Sequence, residues 1–275
     1  MKQYNLKTWE GYRTVIQDIR EKYGYLKLTE DISKKNVVLF RGHGNAEWPI
    51  LTTLERKTSK DMSFEEYIRY ALRCRNELES FMGRKWDIPQ LPEILKEISG
   101  PEESWKPIIP YSVYNYLVYL RHNGFPSPLL DWTTSPYIAA YFSFCEEYSY
   151  ERAAVYAYIE RPTGVKGGMR GDPTINLMGP YVTTHSRHFA QKAWYTTATK
   201  YNYSNKEHIF CNHAKVFNRN SKDQDIIIKI TIPSSERLKA LEELSDYNIN
   251  HFTLFQTEES LVKALSIKEF DLEGK

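Results

Sequence analysis

Apolar and polar positions follow two rhythms along this chain, and they alternate often enough to lay out a mixed fold. Trp9, Tyr12, Ile16 and Ile19 recur at helical spacing, which predicts an opening amphipathic helix. Residues 36–42 contain the unbroken apolar run Val37-Val38-Leu39-Phe40, the pattern of a strand buried on both faces, and Gly42-His43-Gly44-Asn45 ends it. Ser63 with Glu66 reads as a capping box, and Phe64, Tyr67, Ile68, Ala71 and Leu72 mark one face of a helix running to Met82. Residues 83–109 read as irregular, with a short helix over Leu91–Ile98. Pro110 opens another helix, with Val113, Leu117 and Leu120 on one face. Gly124-Phe125-Pro126-Ser127-Pro128 is a stiff loop before a short strand over Leu129–Trp132, and Pro136 fits the first turn of a helix carrying Ile138, Ala139, Tyr141 and Phe142.

The second half predicts a strand over Ala153–Ile159, a long glycine- and proline-rich loop over 161–185, and a strand-like stretch over Arg187–Thr197. A strand over Asp225–Ile232 follows, then a helix capped by Ser234 or Ser235 and running to Leu244, a last short strand over Phe252–Phe255 and a last helix over Glu258–Leu265. No repeat, low-complexity tract or linker interrupts the 275 residues. The expectation is a single α+β domain. Its first core strand lies in 36–60, a helical insertion spans 61–123 between the first two core strands, and 124–275 supplies the remaining core.

Composition narrows the function classes. A hydrophobic content of 41% supports a sizeable core, and a net charge of +2 argues against a strongly basic protein that coats DNA. The 21 tyrosines suit half-buried core positions or stacking surfaces. Cys74, Cys145 and Cys211 are odd in number and widely spaced, so no disulfide framework is implied. The opening residues lack an apolar signal region, and no segment approaches the roughly 20 apolar residues of a membrane span, so a cytoplasmic protein without membrane attachment is expected.

Candidate chemistry sits where apolar runs end. Arg41 and Gly42 close the first strand, and Asp131, Thr133, Thr134, Ser135 and Pro136 close the second. Polar residues at the tips of buried strands are a common place for a site. Plainer readings stand beside each. Arg41 could pin two strand ends against Asp131, and the hydroxyls could simply cap the helix that Pro136 begins. His122 and Asp131 could form a His–carboxylate pair, or His122 could hold a loop. Lys200, Lys206, Lys215, Arg219 and Lys222 interleave with Tyr201, Tyr203, Phe210 and Phe217, a mixture suited to a nucleic-acid strand or to a solvated surface. His208-x-x-Cys211-x-His213 lacks a fourth ligand at standard spacing, and no metal is expected. Gly167-Gly168-Met169-Arg170-Gly171-Asp172-Pro173 has no Gly-Lys-Ser/Thr ending and is no phosphate loop; a lid is an alternative.

Four stretches together resemble the FRG domain family, named for its Phe-Arg-Gly motif. They are Phe40-Arg41-Gly42 with Trp48-Pro49-Ile50-Leu51 and Arg56, then Arg121-His122-Asn123-Gly124-Phe125-Pro126 with Leu129-Leu130-Asp131-Trp132-Thr133, then Ser186-Arg187-His188-Phe189-Ala190-Gln191, and finally Thr253-Leu254-Phe255 with Glu259. Gln256 stands where the family usually has proline. The resemblance implies a layout remotely similar to the ADP-ribosyltransferase superfamily, with NAD as substrate. On it, Arg41 would clamp the NAD pyrophosphate, Gly42 would admit the nicotinamide, and Thr133, Thr134 and Ser135 would brace it. Gln191 would take the third-strand position usually held by Glu, with Asp131 or His122 as base. The expected function is ADP-ribosyl transfer to a macromolecule by a toxin or antiviral effector, with an inhibitory protein partner (an antitoxin). Nucleic acid is the preferred acceptor, held by Lys200, Tyr201, Lys206 and Lys215, and protein the alternative. The rival expectation is a non-catalytic nucleotide- or protein-binding module.

Overall fold

Why the first strand and its partners meet is set by burial, and the partners come from both ends of the chain. The computed structural model describes residues 1–27, 33–98, 109–168, 171–183 and 186–273. The chain runs β1 (Lys2–Asn5), α1 (Gly11–Tyr23), a small hairpin of β2 (Tyr25–Lys27) and β3 (Ser33–Lys35), and β4 (Leu39–His43). Five helices follow: α2 (Thr53–Lys57), α3 (Phe64–Arg73), α4 (Arg75–Met82), α5 (Leu91–Ile98) and α6 (Tyr111–His122). Then come β5 (Leu130–Thr133), α7 (Pro136–Phe144), β6 (Arg152–Ile159), β7 (Thr174–Met178), α8 (Ser186–Ala190), β8 (Ala193–Asn202), β9 (Glu207–Phe210) and α9 (His213–Phe217). The last elements are β10 (Ile226–Pro233), α10 (Arg237–Asp246), α11 (His251–Phe255), α12 (Glu258–Ser266) and a π-helical turn over Ile267–Leu272.

One mixed sheet organises these elements, in the order β1-β10-β6-β4-β5-β8-β7, with β9 also on β8. The β1–β10 pair is parallel and the other pairs antiparallel. Strand alternation sends Phe40, Val155, Ala157, Ile228 and Ile230 into a core shared with α1, α7 and α10. Beyond β5 on the same face, Tyr195 and Met178 pack against α3 and α6 of the insertion. The opposite face carries Leu39, Leu130, Trp132, Tyr156, Tyr158 and Phe217. The helical insertion between the first two core strands is therefore present, and the helices bury its aromatics. Tyr67, Tyr114 and Tyr116 are each at most 1% exposed, and their hydroxyls donate to the Pro126, Gly179 and Ala71 carbonyls.

Several sequence expectations need correction. The helix expected from Ser63 to Met82 is two helices broken at Cys74, and Ser63 caps the first through the Glu66 N–H. Residues 161–185 contain β7, because Ile175 and Met178 pair along β8 and bury. Arg187–Thr197 is a short helix and then a strand, with Lys192 at φ 48° making the turn between them. Phe252–Phe255 is helical because Asn250 and Thr253 form a reciprocal capping box. That helix ends on Gln256 at φ 55°, a left-handed cap at an angle closed to proline. A short 3₁₀ turn over Ser234–Glu236 precedes α10, so neither serine caps it. β1 had no apolar signature, since as an edge strand it leaves three of its four residues exposed. No described helix is long and apolar enough to cross a membrane. Met169 and Arg170 of the suggested lid fall outside the described residues.

Candidate functional site

The sheet has a weak seam. β4 pairs with β6 over five residues but with β5 only through Phe40 and Thr133. Beyond that point β5 carbonyls lack a β4 partner, and a buried carbonyl without one is costly. Arg41 supplies the missing donor: its Nη1 lies 2.7 Å from the Asp131 carbonyl oxygen. Its Nε donates to His43 Nε2 at 3.1 Å. Arg41 and His43 are two residues apart on one strand and so share a face, the one with Tyr156 and Leu39.

The two strand ends do not present their Arg41 and Asp131 side chains on one face. Alternation starts the Asp131 side chain on the opposite face, opposite Tyr195. Its Oδ2 pairs with the Arg121 guanidinium from the end of α6, and its buried Oδ1 has no hydrogen-bond partner among the described residues. Arg41 thus meets the Asp131 backbone at the strand edge, as the plainer reading of two pinned strands anticipated, and its guanidinium does not face the carboxylate across a pocket floor. No acidic group lies within ion-pair range of Arg41 among the described residues. Burial lowers its pKa to about 10; the charge of Asp131 works against that fall, and those of Arg121 and Arg56 add to it.

His43 is the neutral member. Burial first, and the charge of Arg41 second, push its pKa down to about 3. With Nε2 accepting from Arg41, the proton of neutral His43 is assigned to Nδ1. A histidine whose folded pKa is depressed contributes stability that is complete above its ordinary value and drains away as pH falls toward the folded value. His43 should therefore cost the fold about 2 kcal/mol between pH 6.5 and pH 5. Denaturant unfolding at the two pH values measures this. His43→Gln, which keeps an acceptor for Arg41 but cannot titrate, should show a shallower loss; an unchanged slope would mean that other groups carry the acid sensitivity. His188, also lowered by burial, contributes with the same sign.

The remaining candidates divide. Gly42 faces α7, and a Cβ there would sit 1.9 Å from the Ala139 carbonyl oxygen and 2.7 Å from Ser143 Oγ. Its lack of a side chain lets the helix pack onto β4, a structural reason for the glycine beside the expected one. Thr133 Oγ1 accepts from the Ser135 N–H, and Ser135 Oγ accepts from the Ile138 N–H, so both hydroxyls serve the start of α7. The Thr134 N–H donates to the Lys192 carbonyl, and its side chain is half-buried. His122 Nε2 lies 2.7 Å from Tyr195 Oη, and His188 Nδ1 lies 3.2 Å from the same oxygen. Tyr195 is fully buried, so His122 belongs to a buried network under β8.

Gln191 is not on a strand. It follows α8, and its Nε2 donates to the Leu254 carbonyl, while Arg187 Nε donates to the Phe255 carbonyl and its guanidinium lies over the Phe255 ring. The Arg-x-x-x-Gln stretch and the Thr-Leu-Phe stretch therefore clamp each other. Gln191→Ala should lower stability by about 1–2 kcal/mol and speed amide exchange over 251–256. Unchanged stability and exchange with lost NAD turnover would restore the catalytic role to Gln191. Glu258 and Glu259 lie in the first turn of α12.

The basic segment is largely paired. Lys200 lies 2.6 Å from Asp61, and Lys215 shares the same carboxylate at 3.5 Å. Lys206 sits in the β8–β9 turn, and Tyr201 packs edge-on against Tyr203 and His208. His213 is turned inward, with Nε2 3.1 Å from Thr196 Oγ1, which also accepts from Trp132 Nε1.

Sequence reasoning missed His43, Tyr195 and the pairing of Arg121. The i, i+2 spacing of Arg41 and His43 was the available signal for the first, while Tyr195 gave no local one. No curated protein and no solved structure matches the chain. Residues 36–152, from the approach to β4 through the insertion, β5 and α7 to the first residue of β6, match the family model of the FRG domain, so this stretch of the chain is an FRG domain.

Proposed function

We propose that the β4–β5 seam binds the diphosphate of NAD and that the protein transfers ADP-ribose to a macromolecule, in an ADP-ribosyltransferase-like use of its mixed sheet. The observation that carries this is Arg41, half-buried and without an acidic partner, beside a second guanidinium, Arg56, which likewise has no ion pair among the described residues. Arg121 adds a third guanidinium, and Asp131 is the carboxylate whose charge is set against them. An excess of fixed positive charge at a strand edge suits an anion, and guanidinium forks suit phosphate oxygens. Nucleic acid remains the preferred acceptor through Lys206 and Tyr201, with protein as the alternative, and an inhibitory partner fits a toxin or antiviral role.

A second reading, a binding module without turnover, is favoured by the engagement of Gln191, Thr133 and Ser135 in local structure. Incubation with labelled NAD and a cell lysate separates the two. Label in RNA, DNA or protein supports transfer. Binding without NAD consumption supports the module, and neither binding nor consumption ends both.

A further inference from the structure

Past the end of β4, beyond His43, three aromatic rings form a surface cluster that the seam itself does not use. Trp48 follows the turn after β4, and its ring lies 5.3 Å from that of Tyr148 and 5.6 Å from that of Tyr150, both edge-to-face. Tyr148 and Tyr150 lie 5.8 Å apart. Trp48 and Tyr150 are 37% and 42% exposed, so the outer surface of the cluster is open to solvent. The cluster is held in place. Tyr148 lies against the bare backbone of Gly44, where a Cβ would come within 2.0 Å of its ring.

His43 joins this cluster to the cationic seam. Its Nε2 accepts from Arg41, and its ring centroid is 6.4 Å from that of Trp48. An aromatic ring one side chain away from Arg41, a guanidinium without an ion pair among the described residues, brings together the two halves of a nucleotide site, a π surface for the base and a cation for the phosphate. The surrounding charge favours a small ligand over a long strand. Glu47, Glu147 and Glu151 stand next to the three rings in sequence and are exposed. They would repel a polyanion running across the cluster, but not a single nucleotide whose charge rests on Arg41 and Arg56.

We propose that Trp48, backed by Tyr148 and Tyr150, is the stacking surface for the base of a nucleotide whose phosphates lie on Arg41 and Arg56. The proposal rests on the anion site proposed above but not on transfer chemistry. The test is calorimetric titration of the full chain with ADP and, separately, with inorganic pyrophosphate. Trp48→Ala is expected to weaken ADP binding about tenfold or more and to leave pyrophosphate within about twofold. Trp48→Phe should keep most of the ADP affinity. Trp48→Leu, which keeps apolar bulk without a π face, should lose it as the alanine variant does, and circular dichroism checks that each is folded. Equal ADP affinity in wild type and Trp48→Leu overturns the stacking surface while leaving the anion site standing if pyrophosphate still binds. Parallel loss of both probes also overturns it, since Trp48 would then act by shaping the seam. Wild type binding neither probe overturns the stacking surface together with the anion site. A single-stranded homopolymer that depends on Trp48 when ADP does not would assign the rings to a nucleic-acid strand and overturn the proposal.

Discussion

Arg41→Ala is expected to weaken NAD binding at least about tenfold, because it removes a charge-assisted contact worth roughly 1.5–3 kcal/mol. The same substitution also strips the Asp131 carbonyl and His43 Nε2 of their donor, so two of three roles of this side chain are structural. Arg41→Lys separates them. A lysine retains the positive charge at the seam but cannot span His43, the carbonyl and a phosphate with one planar fork. It should recover part of the affinity and little of the geometry. Calorimetry with NAD, paired with denaturant unfolding of each variant, reads binding and stability separately. Equal NAD affinity in wild type and Arg41→Ala, both folded, would leave Arg41 as a strand pin and remove the main support for the NAD site.

Gly42→Ala is expected to be severe for the fold and indifferent to the ligand. The added methyl meets the Ala139 carbonyl and the Ser143 backbone and hydroxyl, none of them the far end of a flexible side chain. Helix α7 must back away from β4, loosening the bond from Ser143 Oγ to the Ala154 carbonyl and the packing of Phe40 against Ala139 and Ala140. A clash with fixed backbone belongs at the upper end of overpacking costs, about 3 kcal/mol, or a melting temperature lower by about 6–12 °C for a chain of this size. If the glycine instead admitted nicotinamide, Gly42→Ala would lose NAD affinity with little change in melting temperature.

These two residues mark the boundary of what the sequence could tell. The Phe-Arg-Gly triplet and the Leu-Leu-Asp-Trp-Thr stretch were visible as strand ends, and they do lie on adjacent strands. Strand pairing is written locally, in apolar runs and their punctuation, so β4, β5, β6 and β10 could be located in advance. What each side chain does there is set by partners far away in the sequence. Gly42 faces a helix almost a hundred positions on, and the Asp131 carboxylate is taken by Arg121 because α6 returns beside β5. Gln191 looked like a strand residue because Arg187–Thr197 contains β-formers. The left-handed turn at Lys192 splits that stretch, and lysine gives no warning of such a turn. The helix at His251–Phe255 did carry a warning, since Asn250-x-x-Thr253 is a reciprocal cap, but its aromatic content masked it.

The parallel pairing of β1 with β10 joins Lys2 to Ile228 and Asn5 to Thr231, across more than 220 positions. β5 likewise depends on β8, and β6 on β10. A fragment cut to residues 36–152 would keep the Phe-Arg-Gly and Leu-Leu-Asp-Trp-Thr stretches yet leave β5 an open edge, keep one residue of β6, and hold β4 by the single Phe40–Thr133 pair. During synthesis the first strand must wait, unpartnered, until β10 has left the ribosome, and contacts this distant form slowly. The segment recognised by family and the unit that folds are thus different lengths of chain, and the arginine at the seam acquires its setting only when the second closes around the first.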